Sequence, residues 1–155
     1  KVSGQSYREF VRAEILAKLG MSRTGFYGEA GDFKVSDFAV GKGATSVGVP
    51  NNPPNWGPTS WLVMGSGGMY STLDDMNRYY HALEAGSLFA TDQARAWQRK
   101  AGVDVGGSDR GYFIVHVSDS RGSSVLMLSN SEGRSAQMRQ LVQALANLVL
   151  PKQEN

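Results

Sequence analysis

Two β-rich runs near the C-terminal end constrain the fold more than any other feature of this sequence. The runs Tyr112–Ser118 and Ser124–Ser129 flank the turn-forming residues 119–123, a pattern that predicts a β-hairpin. The first run carries apolar residues on both of its faces, and residues 125–128 are apolar throughout. Such a hairpin belongs to a sheet that is covered on both sides, because its apolar faces are stable only when they are buried.

Helices are predicted that could supply the covering layers. Ser6 and Glu9 form a capping box before an apolar periodicity that ends at Gly20. Thr72 begins a second helical pattern, which ends before Gly86.

Two further helices are expected later in the chain, a short one over residues 91–100 and an amphipathic one over residues 138–149 that Pro151 stops. The fold class that follows is α+β, part of a three-layer sandwich in which helices flank a mostly antiparallel sheet. The sequence offers only two or three convincing strands. We therefore expect residues 1–155 to be the C-terminal part of a single larger domain whose N-terminal portion is missing.

Composition excludes several classes of function. The 155 residues contain no Cys and carry a formal net charge of +2. A chain without Cys has no disulfide scaffold, thiol nucleophile or thiolate metal site, and a weak net charge with no basic run predicts no nucleic-acid partner. His81 and His116 lie far apart in sequence, so we expect both to be structural and predict no metal and no cofactor. No apolar run approaches the roughly 20 residues that span a bilayer.

Residues 43–73 contain no charged side chain, although they include four of the five prolines as well as Trp56 and Trp61. Two interpretations are open. The segment packs against other protein, which would include the missing part of the domain. Alternatively, it forms the rim of a site that contacts a neutral or peptide-like ligand through Asn, Trp and backbone groups.

No catalytic residue is predicted in this chain. A serine nucleophile needs a base within hydrogen-bond reach, and the local patterns that provide one are G-x-S-x-G, S-x-x-K and Y-x-N or S-x-N. None of them occurs in the sequence. Asp74 and Asp75 are adjacent, and because neighbours on a helix point about 100° apart they do not form an acid/base pair. Their expected role is capping and interaction with the helix dipole.

Two glycine-containing segments are candidates for the wall of a binding site. Gly67 and Gly68 permit a positive φ or a close backbone approach, which a tight turn or a ligand wall would use. Glycines directly before a hairpin can leave a strand edge bare, so that the backbone of a substrate docks on it, and a simple glycine turn is the alternative. The residues of this second candidate segment are Asp104, Val105, Gly106, Gly107 and Ser108.

Three segments of the chain form a pattern, both in their residue types and in their order along the sequence. The first begins with SGQSYREF at residues 3–10 and continues into LGMSRTGF at residues 19–26; the others are GGMYSTLDDM at residues 67–76 and VLMLSN at residues 125–130. Together they resemble the penicillin-recognising serine hydrolases, which comprise class C β-lactamases, D-Ala-D-Ala carboxypeptidases and related esterases. The matching family patterns are the helix after the Tyr-x-Asn region, LGM-x-x-T-x-F, GG-x-x-ST-x-x-D-M and the VVVLSN strand.

The resemblance implies a β-lactamase-like fold and a serine that is acylated by a lactam, a D-amino peptide or an ester before water completes hydrolysis. The family's Ser-x-x-Lys and Tyr-x-Asn lie upstream of the segment that matches Ser3 and Gly4, so we expect the chain to be inactive alone. Its Lys-Thr-Gly or His-x-Gly motif aligns with the segment that starts at Asp104. An acidic residue thus replaces the basic one that would hold a substrate carboxylate, while Gly106 to Ser108 would still line the cleft.

Two alternatives stay open. A non-catalytic relative that binds peptide or cell-wall fragments is favoured by Asp104, and a structural or interaction module whose glycines form only turns is favoured by the absence of a local catalytic motif. The resemblance implies that the full-length parent has a small-molecule or peptide substrate and a bacterial periplasmic or cell-surface location. It also implies that the missing N-terminal part of the domain is a partner of this chain. Open strand edges predict self-association as well.

Overall fold

The computed structural model describes residues 3–43, 48–88, 90–92, 102–108, 110–119, 121–131 and 135–149. Its first helical stretch has three parts, α1 (Tyr7–Val11), a π-helical turn (Arg12–Leu16) and α2 (Ala17–Leu19). The predicted capping box is confirmed, because the Glu9 N–H donates to Ser6 Oγ over 3.3 Å and the Ser6 N–H donates to Glu9 Oε2 over 2.9 Å. Gly20 ends the stretch in the left-handed conformation at φ 65°, as a C-terminal glycine does.

A small first core forms around this stretch. Strand β1 (Gly25–Phe26) pairs antiparallel with β2 (Met69–Tyr70), and the next helix is α3 (Leu73–Glu84), capped by Thr72. Phe26 is fully buried and packs with Val11, Leu16 and Met21. Two short 3-10 helices, Val35–Asp37 and Pro53–Trp56, lie in the long connection between β1 and β2.

The second part of the structure is a sheet of three strands with the order β3-β4-β5, all antiparallel. The strands are β3 (Gly102–Ser108), β4 (Tyr112–Ser118) and β5 (Ser124–Ser129), and the helix α4 (Ser135–Val149) follows them. The predicted hairpin is confirmed at both of its strands. The candidate residues Asp104 to Ser108 belong to the strand β3, and the turn is limited to the connection around Gly111.

The sheet is covered on both faces. Phe113 and Val115 of β4 are buried against Val142 of α4, which is one outer layer. On the opposite face, the ring of His116 stacks on Tyr80 of α3 with 3.7 Å between centroids and 9° between planes. The predicted three-layer α+β arrangement is therefore confirmed.

The apolar stripe predicted for the terminal helix is only partly buried. Val142 and Ala146 face the core, whereas Leu141, Leu145 and Leu148 are exposed, Leu148 to 82%. The described strands offer too narrow a sheet to cover every apolar position of a fifteen-residue helix. The predicted helix over residues 91–100 falls almost entirely on residues outside the described ranges, as does Pro151. None of the helices in the described ranges is long and apolar enough to cross a bilayer.

Candidate functional site

A cavity of about 720 Å³ lies between the β1–β2 connection and the sheet, and it is open to solvent. Gly67 and Gly68 line it together with Gly106 of β3. The structure thus brings together three predicted site residues that are far apart in the sequence. The backbones of the remaining four, Asp104, Val105, Gly107 and Ser108, belong to β3 and pair in register with β4.

The three glycines differ in what a side chain would meet. A Cβ at Gly106 would lie 2.8 Å from Ile114 Cγ2, on the residue paired with it across the strands. Gly68 has φ 77°, and a Cβ there would collide with the Thr59 side chain, whose Oγ1 donates to the Gly68 carbonyl over 3.0 Å. Nothing lies within 4 Å of a Cβ at Gly67. Packing therefore explains two of the glycines, while Gly67 faces open space.

One side of the cavity is formed by Tyr27, Trp56 and Tyr112, which we call the Trp56 wall. Trp56 makes edge contacts with Tyr27 and Tyr112 at centroid distances of 4.6 Å and 5.4 Å. The Arg110 guanidinium lies 4.6 Å from the Trp56 centroid. These contacts join the uncharged segment to the β3–β4 connection and make this side of the cavity rigid.

Buried Asn51 holds the Trp56 wall in place. Its side-chain amide donates to the carbonyls of Gly41 and Arg110 over 3.1 Å and 2.9 Å, and its Oδ1 accepts from Trp56 Nε1 over 2.8 Å. The Tyr112 hydroxyl donates to the Asn51 carbonyl over 3.2 Å. A buried amide with all these partners fixes a loop far more firmly than apolar contact alone.

The other side is formed by Phe33, Phe38 and Tyr70, which we call the Phe38 wall. Phe38 contacts Phe33 edge-on at 6.4 Å and Tyr70 at 4.8 Å between centroids, and the Arg23 guanidinium lies 5.3 Å from the Phe33 centroid. The sequence pattern does not predict this wall. The only signal was the spacing of two phenylalanines among polar residues, which fits no regular periodicity.

Two tyrosines of these walls, Tyr70 and Tyr112, are poor candidates for a general base. Burial raises the pKa of Tyr112 above its ordinary value of 10.0, and burial together with the charge of Glu29 raises the pKa of Tyr70. Both phenols therefore stay protonated near neutral pH, and the Tyr112 hydroxyl directs its proton to the backbone carbonyls of Ala39 and Asn51.

Three serines line the cavity, and their partners are not bases. Ser71 Oγ lies 2.7 Å from Thr24 Oγ1, Ser66 Oγ donates to the Val63 carbonyl, and Ser129 Oγ accepts from the Ser131 N–H over 3.1 Å. Within the described ranges, none of the three hydroxyls is hydrogen-bonded to a Lys, His or Tyr side chain. The described part of the chain therefore supplies walls and donors but no activated nucleophile.

Asp75 joins two of the segments that carry the family resemblance. The carboxylate is buried, and its Oδ2 accepts from the Arg23 N–H and from Thr24 Oγ1, both over 2.8 Å. Thr72, not Asp75, supplies the cap of α3 with its side chain. The interpretation of Asp75 as a capping residue missed this role, because its partners Arg23 and Thr24 lie 52 and 51 positions earlier in the sequence.

The uncharged segment is partly buried within this chain and partly exposed. Asn51, Asn52 and Thr59 are buried against the rest of this chain, and residues 65–68 line the cavity. Between them, Trp61 and Leu62 are exposed to 79% and 70%.

In the described part of the chain, neither histidine lines the cavity. His116 is buried, with Nε2 3.3 Å from Glu84 Oε1, and His81 is exposed. Among the residues that the structure describes, no group of three His, Cys, Asp or Glu side chains could hold a metal ion.

Comparisons with known proteins identify the fold around this cavity. A family model described as Beta-lactamase matches residues 1–136. The structure is similar to the crystal structure of D-amino acid amidase from Ochrobactrum anthropi SV3 complexed with D-phenylalanine, with a TM-score of 0.65 and 20% sequence identity. The match covers 95% of this chain and 54% of that chain, so this chain spans about half the length of the amidase. No curated protein matches the sequence.

Proposed function

The chain belongs to the Beta-lactamase family, and from this membership we propose that it forms one side of the substrate cleft of a serine hydrolase. In this proposal the hydrolase cleaves a lactam, a D-amino peptide or an ester by forming an acyl-enzyme, and water then hydrolyses the acyl-enzyme. The amidase with the similar fold is named for D-amino acid substrates, which supports the D-amino peptide among these three.

The observation that carries the proposal is the convergence of Gly67, Gly68 and Gly106 on one cavity. Gly106 lies on β3, and in the described part of the sheet β3 has no strand on its outer side. An unpaired edge presents backbone N–H and C=O groups to a ligand, and such groups orient an acyl substrate and stabilise the oxyanion that forms at its carbonyl. Asp104, Val105, Gly107 and Ser108 contribute the backbone of the same edge.

The nucleophile in this proposal lies on protein outside the 155 residues. The sequence has no S-x-x-K, and the cavity serines of the described ranges are bonded to backbone groups or to Thr24. The parent is an exported bacterial enzyme in this proposal, periplasmic or attached to the cell surface, and its N-terminal part packs against this chain.

The test begins with the gene upstream of Lys1. If it encodes S-x-x-K and Y-x-N, the longer protein is purified and assayed with nitrocefin, a short-chain nitrophenyl ester and a D-amino acid amide. We expect turnover of at least one of these substrates. The isolated 155-residue chain should give neither turnover nor an acyl adduct with a penicillin probe in mass spectrometry.

A matched variant connects turnover to this cavity. Gly67→Val in the longer protein narrows the cavity without meeting any atom within 4 Å of the new Cβ. We expect kcat/KM to fall roughly tenfold, by analogy with other displaced substrate contacts, while the free energy of unfolding stays the same. Intact motifs with no turnover and no adduct would contradict the proposal.

Asp104 favours a second candidate function, a non-catalytic relative that binds peptide or cell-wall fragments. The family resemblance aligns this acidic residue with a basic one, and a substrate carboxylate would be repelled there. Binding of a peptide without acylation in the longer protein would support this candidate.

A further inference from the structure

Two opposite charges lie at the Phe38 wall, and the proposed function uses neither of them. Arg23 and Asp37 are the charged side chains among the residues that line the cavity. Both residues are exposed, and within the described ranges neither forms an ion pair. An otherwise uncharged cavity thus presents one separate cation and one separate anion.

A neighbouring residue orients each charged side chain, but each side chain keeps hydrogen-bonding groups that can bind a ligand. The Arg23 guanidinium rests 5.3 Å from the Phe33 centroid, a contact that orients the group while its N–H donors stay available. Asp37 Oδ2 accepts from the Lys34 N–H over 2.9 Å, which leaves Oδ1 for a ligand. Phe33, Phe38 and Tyr70 line the same cavity and offer apolar surface.

We infer that the cavity binds a short peptide with both of its ends free. Asp37 binds the ammonium group of this peptide and Arg23 binds its carboxylate. The apolar side chain of the peptide lies on the Phe38 wall. The inference rests on the proposed function, because it assigns a substrate class to the same cleft. It also gives the cleft a cation for a substrate carboxylate, although Asp104 stands at the position where the family resemblance expects one.

Charge complementarity distinguishes this class from simpler ligands. A purely anionic ligand would be attracted by Arg23 and repelled by Asp37. A purely cationic ligand would be attracted by Asp37 and repelled by Arg23. A ligand that carries both charges satisfies both groups and leaves neither desolvated without a partner. Neutral lactams and esters would gain only the contact with the aromatic wall.

The experiment measures binding to the 155-residue chain by saturation-transfer NMR and calorimetry. The probes are D-phenylalanyl-D-alanine, its C-terminal amide, which lacks the carboxylate, and its N-acetyl derivative, which lacks the ammonium group. Each lost charge-assisted bond should weaken binding by about 10- to 100-fold. The unmodified dipeptide is therefore expected to bind best.

Two variants assign the ends of the ligand. Arg23→Gln should weaken the dipeptide about tenfold or more without further weakening the amide, and Asp37→Asn should weaken the dipeptide but not the N-acetyl derivative. Arg78→Gln and Asp74→Asn are the matched controls, since both residues lie on α3 and outside the cavity lining. They should leave all three affinities unchanged.

Equal affinities for the three probes, absent binding, or an unchanged pattern in the two variants would overturn the inference. Because these measurements need no turnover, they separate the two claims. Selective binding without hydrolysis by the longer protein would contradict only the proposed function, and hydrolysis that is indifferent to Arg23 and Asp37 would contradict only the inference.

Discussion

Gly67 and Gly68 are adjacent, yet a side chain would meet different surroundings at each of them. Gly68 has a positive φ and touches Thr59, whereas the space around Gly67 is open. An L-residue in the left-handed region is strained, and overpacking adds to the strain. The two positions therefore separate the structural need for glycine from a functional one.

We expect Gly68→Ala to lower the free energy of unfolding by roughly 2 kcal/mol, from backbone strain and the collision with Thr59. Gly67→Ala should change it by less than about 0.5 kcal/mol. Urea unfolding followed by circular dichroism measures both. Equal losses would show that the open space at Gly67 is not present in solution.

Asp75 and its neighbour Asp74 should also differ in how much each contributes to the free energy of unfolding. Asp75→Ala removes the acceptor of the Arg23 N–H and of the Thr24 hydroxyl, and a buried donor without an acceptor is costly. The expected loss of unfolding free energy is roughly 2–3 kcal/mol. Asp74→Ala, at an exposed position in the first turn of α3, should cost only about 0.5 kcal/mol from the helix dipole. A smaller effect at Asp75 than at Asp74 in urea unfolding would refute this assignment.

At the scale of elements, the first helical stretch depends on an ionised cap. Hydrogen bonds from the Ser6 side chain and from its backbone N–H hold the pKa of Glu9 below its ordinary value of 4.5. Because the pKa is lower in the folded state, the carboxylate stabilises the helix above the unfolded value. This stabilisation is lost as the pH falls through the lowered one.

Amide exchange protection in the first turn should therefore decrease between pH 6 and about pH 3. The Phe10 N–H, which donates to the Ser6 carbonyl, is a suitable reporter. Glu9→Gln should make the protection factor nearly independent of pH. Wild-type protection that is the same at both pH values would contradict the role of the charge.

Elements with local signals could be predicted from the sequence. Ser6 and Glu9 fixed the start of the first helix, and the residues flanking 119–123 defined both strands of the hairpin. The Phe38 wall could not be predicted, because its members meet only after β1 and β2 have paired. The exposure of Leu145 was also not predictable, since a periodic pattern shows which face is apolar but not how much sheet is available to cover it.

Some residues of the candidate site could likewise be predicted from the sequence, and others could not. Gly67, Gly68 and Gly106 were identified from their local sequence, and the structure shows that they share a cavity. Asn51 was missed because an asparagine in a loop carries no distinctive signal. Its importance comes from bonds to Gly41 and Arg110, which are distant in the sequence.

At the scale of the whole molecule, an apolar helix face and the backbone edges of two strands are exposed. Leu141, Leu145 and Leu148 are exposed along α4, and in the described part of the sheet neither β3 nor β5 has a strand on its outer side. Exposed edges and apolar faces both favour association between copies. We expect the isolated chain to form dimers or larger species.

Light scattering coupled to size exclusion, over a range of concentrations, measures this association. If the helix surface drives it, the double substitution Leu145→Lys and Leu148→Lys should give monomers, and if the strand edges drive it the double variant should still associate. A clean wild-type monomer at every concentration would contradict the prediction.

The π-helical turn at Arg12–Leu16 has a consequence for insertions and deletions. Such a turn holds one residue more than an α-helical turn, so deleting one residue from it would restore a regular helix and leave the residues before it on the same face. Tyr7 would keep its contact with the edge of Phe26, and Arg8 its ion pair with Glu29. Relatives that are one residue shorter within this turn should therefore keep both contacts, whereas a deletion from a regular part of the helix would rotate the residues before it by about 100° and break them.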